Sequence, residues 1–189
     1  MKRFALFVPL VVLIAFAADT RADTYKVDPV HSMTVFRIGH ANLGYVWGRI
    51  NDPAGTFTLD ADVTKSTFDI ELQVANIDTH NEKRDAHLKT PDFFNARQYP
   101  TITFKSTAVK QGADANHLDV TGDLTMHGVT KSVAIPVELV GKGQFPPGME
   151  RAGLEATFTV KRTEFDMKNM VGPVSDEVRI TVALEGVKQ

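Results

Sequence analysis

The chain has 189 residues, a formal net charge of −2 and no cysteine. This length suits one domain with its own core, and the missing thiols exclude disulfides, thiolate metal sites and cysteine-based catalysis. The balance of 21 basic against 23 acidic residues, without a basic stripe, argues against nucleic-acid binding.

The first residues have the composition of a secretory signal peptide. Lys2 and Arg3 give a basic start, residues 4–18 are apolar, and polar and small residues follow up to Ala22. This apolar run is shorter than the ~20 residues that cross a bilayer, so a retained anchor is the less favoured alternative. We predict cleavage after Ala22, with nearby alanines as alternative sites, and export to the periplasm. Residues 23–189 would then form one domain without a membrane span.

From Thr24 onward, apolar and polar residues alternate along much of the sequence. Alternation with a period of two places one face of a β-strand against an apolar interior and the other face in water. The segments that show it, some less regularly than others, are 31–40, 45–59, 67–74, 100–109, 118–124, 129–139, 154–160 and 178–184. The sequence therefore predicts about eight strands, which a chain of this length joins by short antiparallel connections.

Turn-forming residues separate these segments. Asparagine, aspartate, glycine and proline cluster at 51–55, 111–114 and 141–148. The dipeptide His127-Gly128 lies directly between two strand patterns and predicts a tight turn with a positive φ at Gly128.

One connection is predicted to be helical. Thr79 and Glu82 have the spacing of a capping box, which predicts a short helix from there to about residue 88 or 89. Thr90-Pro91 has the features of a second helix start, with Thr90 as N-cap. We therefore expect a helical insertion near residues 80–98 that closes or plugs the sheet, with its two adjacent phenylalanines, Phe93 and Phe94, facing inward.

Eight antiparallel strands can close into a barrel or stack as a sandwich, and periodicity does not decide between them. The interior of an eight-stranded barrel is either filled by side chains or holds one small ligand. Taken alone, the pattern supports a mainly β protein with a solid or a hollow core. The apolar side chains predicted to face inward are Phe36, Ile38, Phe57, Phe68, Ile70, Ile102, Phe104, Phe158 and Ile180.

A series of motifs carries a family resemblance over nearly the whole chain after Ala22. In order, they are Tyr25-x-Val27-Asp28-x-x-His31-Ser32-x-x-x-Phe36-x-Ile38-x-His40, Ile77-Asp78-Thr79, Arg84-Asp85-x-His87-Leu88-Lys89-x-x-Asp92-Phe93-Phe94, Tyr99-Pro100-x-Ile102-x-Phe104, Gly122-x-Leu124-Thr125-Met126-His127-Gly128-Val129-Thr130, Arg162-x-Glu164-Phe165 and Asp176-Glu177-Val178. This pattern resembles the YceI-like family of periplasmic proteins. The segment 170–173 departs from it, since the pattern predicts a shorter polar turn there, and would alter one rim of the barrel.

The resemblance implies a lipocalin-like, eight-stranded antiparallel barrel whose tunnel accommodates a polyisoprenoid chain or an isoprenoid quinone. It implies a carrier without catalytic residues, metal or cofactor, whose partner is the lipid itself. A homodimer is compatible with such a barrel. The residues predicted to line the tunnel are Phe36, Ile38, Phe68, Ile70, Phe104 and Phe158, and those predicted to contact a polar head group are Trp47, Arg84 and His87.

Two other chemistries are compatible with parts of the sequence. A metal site could use the histidines and carboxylates of residues 78–87, but His80 and His87 are seven positions apart and no metal motif is present. The favoured interpretation of this segment is structural, with Arg84 and Asp85 tying the helix to the barrel by charge-assisted hydrogen bonds.

Acid–base catalysis could use a histidine beside a carboxylate. His31 lies near Asp28 in sequence, and His87 lies near Asp85. On this basis the rival function is a periplasmic hydrolase or isomerase acting on a lipid or quinone precursor. No nucleophile motif accompanies these pairs, so the carrier is preferred.

Overall fold

The computed structural model describes residues 22–189. Except for Ala22, the predicted signal peptide lies outside these residues. Within the described part, no helix is both long enough and apolar enough to cross a bilayer.

The described chain folds into eleven strand segments and one α-helix. The segments are β1 (Asp23–Val27), β2 (Met33–His40), β3 (Gly44–Ile50), β4 (Ala54–Leu59), β5 (Thr67–Gln73), β6 (Ile77–Asp78), α1 (Glu82–Leu88), β7 (Thr101–Gln111), β8 (His117–Met126), β9 (Val129–Gln144), β10 (Glu150–Lys161) and β11 (Val174–Lys188). Short 3-10 turns occur at Val63–Lys65, Val74–Asn76 and Arg162–Phe165.

These segments form an eight-stranded antiparallel barrel, as predicted. Its closure comes from β1, which pairs with β4 on one side and with the end of β11 on the other. The number of segments exceeds eight because three wall strands are each interrupted once. The segments that together form one wall strand are β1 with β2, β3 with β4, and β5 with β6. Neighbours in the wall are therefore neighbours in sequence, as in an up-and-down barrel.

The two ends of the barrel differ. At the closed end the rings of Tyr25 and Phe57 stack with centroids 5.2 Å apart, and Phe57 stacks on Phe68 at 6.4 Å. All three side chains are almost fully buried. The opposite end, which we call the mouth, carries α1, the β2–β3 turn and the chain between β10 and β11.

The start of α1 differs from the prediction. Asn81 is the N-cap, and its side-chain oxygen accepts a hydrogen bond from the Arg84 N–H at 3.0 Å. Thr79, the predicted cap, is buried, and both its N–H and its hydroxyl donate to Asp85 Oδ1. The capping-box prediction was wrong because Thr79 and Asn81, both cap-forming residues, stand two positions apart, and the Thr79 hydroxyl is already bonded to Asp85.

The second predicted helix start, at Thr90-Pro91, is also wrong. Residues 90–100 form consecutive turns, with Phe93 N–H bonded to the Thr90 carbonyl and Tyr99 N–H to the Asn95 carbonyl. Phe94 nonetheless packs inward against the core, and Phe93 reaches the interior at the mouth. The insertion thus contributes side chains to the barrel interior, although only its first part is helical.

The turn prediction holds at His127-Gly128, and at 141–148 it holds only for the second half of the segment. Both His127 (φ 51°) and Gly128 (φ 74°) have left-handed backbone conformations, as a two-residue type I′ turn requires. In contrast, β9 continues to Gln144, and its Gly141 pairs with Gly153 next to a bulge. The glycines there belong to a bulged strand, so the turn begins only at Phe145.

Candidate functional site

A cavity of about 610 Å³ occupies the barrel interior between the closed end and the mouth. Every long strand contributes inward-facing side chains to its wall, and almost all of these side chains are apolar. The apolar wall residues of the strands include Phe36, Ile38, Val46, Phe68, Ile70, Leu72, Ile102, Phe104, Leu124, Val137, Ala156, Phe158, Val178, Ile180 and Val182.

All six predicted tunnel residues lie on this wall. Five of them, Phe36, Ile38, Ile70, Phe104 and Phe158, point into the barrel yet are only partly buried, because part of each side chain faces a hollow. Phe68 is buried, since it also packs against Phe57 and forms part of the floor. Their positions fit the predicted role, and their contact with a ligand stays a prediction.

Two glycines help to keep the interior open. A Cβ atom at Gly48 would lie 2.4 Å from Phe36 Cζ, and one at Gly122 would lie 2.5 Å from Phe104 Cζ. Both distances are far below van der Waals contact. Because these positions lack a side chain, the Phe36 and Phe104 rings lie directly against the backbone of a neighbouring strand instead of projecting across the cavity.

The mouth of the cavity is basic. His40 at the end of β2 and three residues of α1, namely Lys83, Arg84 and His87, line it. Arg84 is held in place by Thr79: its Nε donates to Thr79 Oγ1 and its Nη2 donates to the Thr79 carbonyl, both at 2.7 Å. With Asp85 bonded to the same threonine, the predicted attachment of the helix to the barrel is present. Apart from Glu155 of β10, the charged residues that line the cavity therefore lie toward its mouth.

His87, the second predicted head-group contact, also lies at the mouth. Its Nε2 is 2.9 Å from Asp92 Oδ2, and its ring meets the Phe93 ring edge-on at 5.0 Å between centroids. The Asp92 carboxylate and the Phe93 ring therefore fix the imidazole at the end of the apolar wall.

Trp47, the third predicted head-group contact, is not brought to the cavity. Strand alternation turns Val46 inward and Trp47 outward, so the indole lies on the outer face of β3 with 60% of its area exposed. The prediction rested on residue type, and the parity of the strand places Trp47 elsewhere.

Sequence reasoning missed three wall residues at the mouth. His40 shares the parity of Phe36 and Ile38 and could have been found by extending that alternation. Lys83 is one position before Arg84 on α1. Met170 belongs to the β10–β11 connection, where no periodicity exists to predict which way it faces.

Arg162 is a buried residue that positions this connection. Its guanidinium donates to four backbone carbonyls, those of Met167, Asn169, Val174 and Ser175, at 2.7–3.1 Å. Burial lowers the pKa of Arg162 below its usual value, although hydrogen bonding to the carbonyls keeps the group in place. The Arg162 guanidinium therefore fixes the loop that carries Met167 and Met170 to the cavity.

The residues considered for a metal do not converge within the segment 78–87. Asp78 forms a salt bridge with Arg49 at 2.7 Å, and Asp85 is engaged by Thr79. A different group, Asp28, His31 and Glu185, does bring its ligand atoms within 4.8 Å of one another.

The centre of that group is already occupied by a cation. Arg151 donates to Asp28 Oδ2 at 2.8 Å and to Glu185, while His31 Nδ1 lies 2.9 Å from the same Asp28 oxygen. Hydrogen bonds from His31 and Arg151 lower the pKa of Asp28 to about 2. This network lies toward the closed end, and none of its residues lines the cavity, His31, one of the two histidines with a neighbouring carboxylate, included.

Comparison with known proteins gives the family. A family model described as the YceI-like domain matches residues 25–186. The chain belongs to the YceI-like family. It is 38% identical over 192 aligned residues to protein YceI of Escherichia coli O157:H7, with 100% of both chains covered.

Solved YceI-like folds agree with the barrel. The crystal structure of Burkholderia cenocepacia BcnA matches with a TM-score of 0.76 at 24% identity, covering 84% of this chain and 98% of BcnA. A polyisoprenoid binding domain from Saccharophagus degradans, implicated in plant cell wall breakdown, matches with a TM-score of 0.67 at 13% identity, covering 87% and 98%. At these identities the likeness concerns the fold.

The motifs of the YceI-like family now have physical roles in this chain. The Arg84-Asp85-x-His87 motif builds the mouth. The His127-Gly128 motif forms a turn in which His127 Nδ1 lies 3.0 Å from the Phe165 carbonyl and the imidazole meets the Tyr99 ring edge-on. Three motifs that are far apart in sequence therefore meet beside one turn.

Proposed function

We propose that this protein binds a long apolar lipid, of the polyisoprenoid or isoprenoid-quinone type, inside the barrel and carries it in the periplasm without chemical change. The observation that carries the proposal is the continuous cavity with an almost wholly apolar wall, whose charged residues, except Glu155 of β10, lie toward its mouth. Such a wall excludes a hydrophilic ligand, because polar groups buried there would lack hydrogen-bond partners.

The size of the cavity fits part of such a chain. If each heavy atom takes about 30 Å³, the volume of one molecule in liquid water, the cavity holds about 20 atoms, or about four isoprene units. Burying one unit contributes on the order of 3–4 kcal/mol before ordering costs are subtracted. Binding strength would therefore come from the hydrocarbon alone.

The mouth supplies a place for the polar end of the lipid. Lys83, Arg84 and His87 stand where a head group would leave the apolar wall. Carbonyl, hydroxyl or phosphate oxygens would accept hydrogen bonds from Lys83 and from the guanidinium of Arg84.

The comparisons support the lipid class, since a protein of the same fold is described as a polyisoprenoid binding domain. Export rests on the basic and apolar N-terminal residues and on the family resemblance. The rival hydrolase or isomerase would need a catalytic group on the wall. His87 alone of the two histidines considered meets that condition, and the His87→Ala variant would then lose turnover while keeping its lipid.

The test is to identify what the barrel carries. Protein expressed with its own N-terminal segment and purified gently from the periplasmic fraction should release an apolar lipid on organic extraction, detected by mass spectrometry. An Ala156→Trp variant places an indole inside the cavity and should lower the bound lipid at least about tenfold, since several carbon atoms lose their site. Ala134→Trp, on the exposed face of β9, is the matched control and should keep the full load.

Two results would contradict the proposal. One is wild-type protein that contains no lipid after gentle purification. The other is an equal load in the Ala156→Trp variant and the wild type, which would place the lipid outside the barrel.

A further inference from the structure

The apolar residues at the mouth continue onto the outer surface. Leu43, at the tip of the β2–β3 turn, is 89% exposed, and Tyr45 and Trp47 follow on the outer face of β3. Met170 and Val171 of the β10–β11 connection are also exposed. The Ala41 N–H donates to the Pro173 carbonyl at 2.6 Å, so the two segments lie side by side. We call these five residues, with Arg37 and Arg179, the docking face.

Two arginines give this face a positive charge in a chain that is acidic overall. Arg37 and Arg179 are paired in register on β2 and β11, and both border a shallow surface cleft with Trp47. The Arg37 guanidinium carbon lies 4.3 Å from the centre of the Tyr45 ring and 6.0 Å from that of Trp47. Neither arginine forms an ion pair with a described carboxylate.

The nearby charges do not cancel this excess. Glu177, the acidic residue nearest to Arg179 on the outer face of β11, stands opposite Lys161 in the pairing of β10 with β11. Arg49, further along β3, is neutralised by Asp78. Arg37 and Arg179 therefore remain as the net charge of the surface around Trp47.

We propose that the docking face binds the surface of a phospholipid bilayer that contains anionic lipids. Tryptophan and tyrosine favour the interface between head groups and hydrocarbon, and arginines beside them are attracted to anionic lipids. An exposed leucine at the tip of a hairpin can insert among the acyl chains at low cost.

The docking face is continuous with the cavity. Met170 belongs to both, and His40 stands between Met170 and the β2–β3 turn at the mouth. With this face on a bilayer, a hydrocarbon chain would pass from the membrane to the cavity without crossing bulk water, which would cost the full hydrophobic free energy of the chain. Membrane docking itself does not depend on what the cavity holds.

The only tryptophan of the chain, Trp47, reports on this contact directly. Protein expressed from the full-length coding sequence is titrated with vesicles of equimolar phosphatidylcholine and phosphatidylglycerol, and with vesicles of phosphatidylcholine alone. We expect a blue shift of Trp47 emission and co-sedimentation with the anionic vesicles, weakened by added salt. A Leu43→Ala variant should bind about tenfold more weakly, and Arg37→Gln with Arg179→Gln should remove most of the preference for anionic vesicles.

The matched control lies on the opposite end of the barrel. Phe145, 76% exposed at the β9–β10 turn, is as apolar and as accessible as the docking residues. Phe145→Ala should leave vesicle binding unchanged. Equal weakening by Phe145→Ala and Leu43→Ala, or an unshifted Trp47 emission at saturating vesicles, would overturn the proposal.

A second copy of the chain is the alternative occupant, because residues 44–48 of β3 pair with β2 on one side only. Light scattering tests for such a dimer. If Leu43→Ala converts a dimer to a monomer and leaves vesicle binding unchanged, self-association replaces membrane docking as the role of this face. Organic extraction of the docking-face variants separates membrane docking from lipid binding, since these variants should keep their bound lipid. The Ala156→Trp variant, conversely, should lose lipid but still bind vesicles.

Discussion

Asp28 joins three parts of the chain toward the closed end of the barrel. Its carboxylate accepts hydrogen bonds from Arg151 and from the Val30 N–H, and it lies beside His31. These contacts lower its pKa to about 2 from 3.8, and its side chain is only 15% exposed. A shift of this size corresponds to about 2 kcal/mol in favour of the folded state.

The pH dependence follows from the direction of that shift. Because the folded pKa of Asp28 is depressed, its contribution is fully present above pH 3.8 and is lost as the pH falls toward 2. We expect Asp28→Asn to lower the free energy of unfolding by about 2 kcal/mol at neutral pH, with the difference from wild type shrinking between pH 4 and pH 2, measured by urea unfolding.

The second Asp-x-x-His pair of the chain is the control. Asp114 and His117 have the same spacing and a contact of 2.7 Å, and the bond to His117 lowers the pKa of Asp114, but this aspartate is 61% exposed and has no arginine partner. Asp114→Asn should change the unfolding free energy much less than Asp28→Asn does, because an exposed ion pair contributes little. Equal losses in the two variants would show that Arg151 adds nothing at Asp28.

Residue-level prediction from sequence worked where partners are close along the chain. The attachment of α1 through Arg84 and Asp85 was predictable because both partners lie within six residues of Thr79. Arg162 was not, since its partners are carbonyls of a loop, and carbonyls carry no signature in the sequence.

The β8–β9 turn shows how one element fixes others. Gly128 has a φ of 74°, and a Cβ atom there would lie 2.5 Å from the Tyr99 ring. That ring also packs against His127, which is bound to the carbonyl of Phe165. The turn therefore holds the 90–100 segment and the β10–β11 connection together at the mouth.

We expect Gly128→Ala to destabilise the fold by about 2–3 kcal/mol, combining backbone strain with a steric clash against Tyr99. Gly148 also has a positive φ, 88°, but has no atom within 4 Å of its Cβ position, so Gly148→Ala should cost only about 1 kcal/mol. Chemical denaturation of both variants provides the measurement. A Gly128→Ala variant no less stable than Gly148→Ala would contradict the role assigned to the Tyr99 contact.

Element prediction succeeded where the period was clear and failed at boundaries. Alternation gave the wall strands, including the inward parity of Phe36 and Ile38, because strand geometry fixes it. It gave neither the interruptions near Ser32 and Pro53 nor the N-cap at Asn81, because those depend on which strand or side chain lies next to them.

The hollow interior belongs to the whole molecule. Periodicity states which side chains face inward, but whether they meet depends on the circumference of the barrel and on how close rings lie to the wall. Gly48 and Gly122 influence that spacing, but no periodicity in the sequence marks them as positions against which rings pack. The family resemblance, rather than composition, was what favoured a cavity over a packed core.

A filled cavity should also stabilise the molecule. Protein unfolded in guanidinium, freed of lipid and refolded would expose its apolar wall to water, whereas the loaded form gains free energy in proportion to ligand affinity, about 2.7 kcal/mol at a concentration one hundred times Kd. We expect the lipid-free form to unfold at a lower temperature by calorimetry. In the Ala156→Trp variant, stripping and refolding should change nothing. Identical melting of loaded and stripped wild type would contradict lipid binding in the interior.

The seam of the barrel joins β1 to the end of β11, the two strands farthest apart in sequence. Until both have been synthesised, the sheet has two open edges and no enclosed space, however well its other hairpins have formed. A nascent chain therefore cannot complete the barrel before synthesis reaches β11. Ligand capture, for the same reason, waits until the seam has closed.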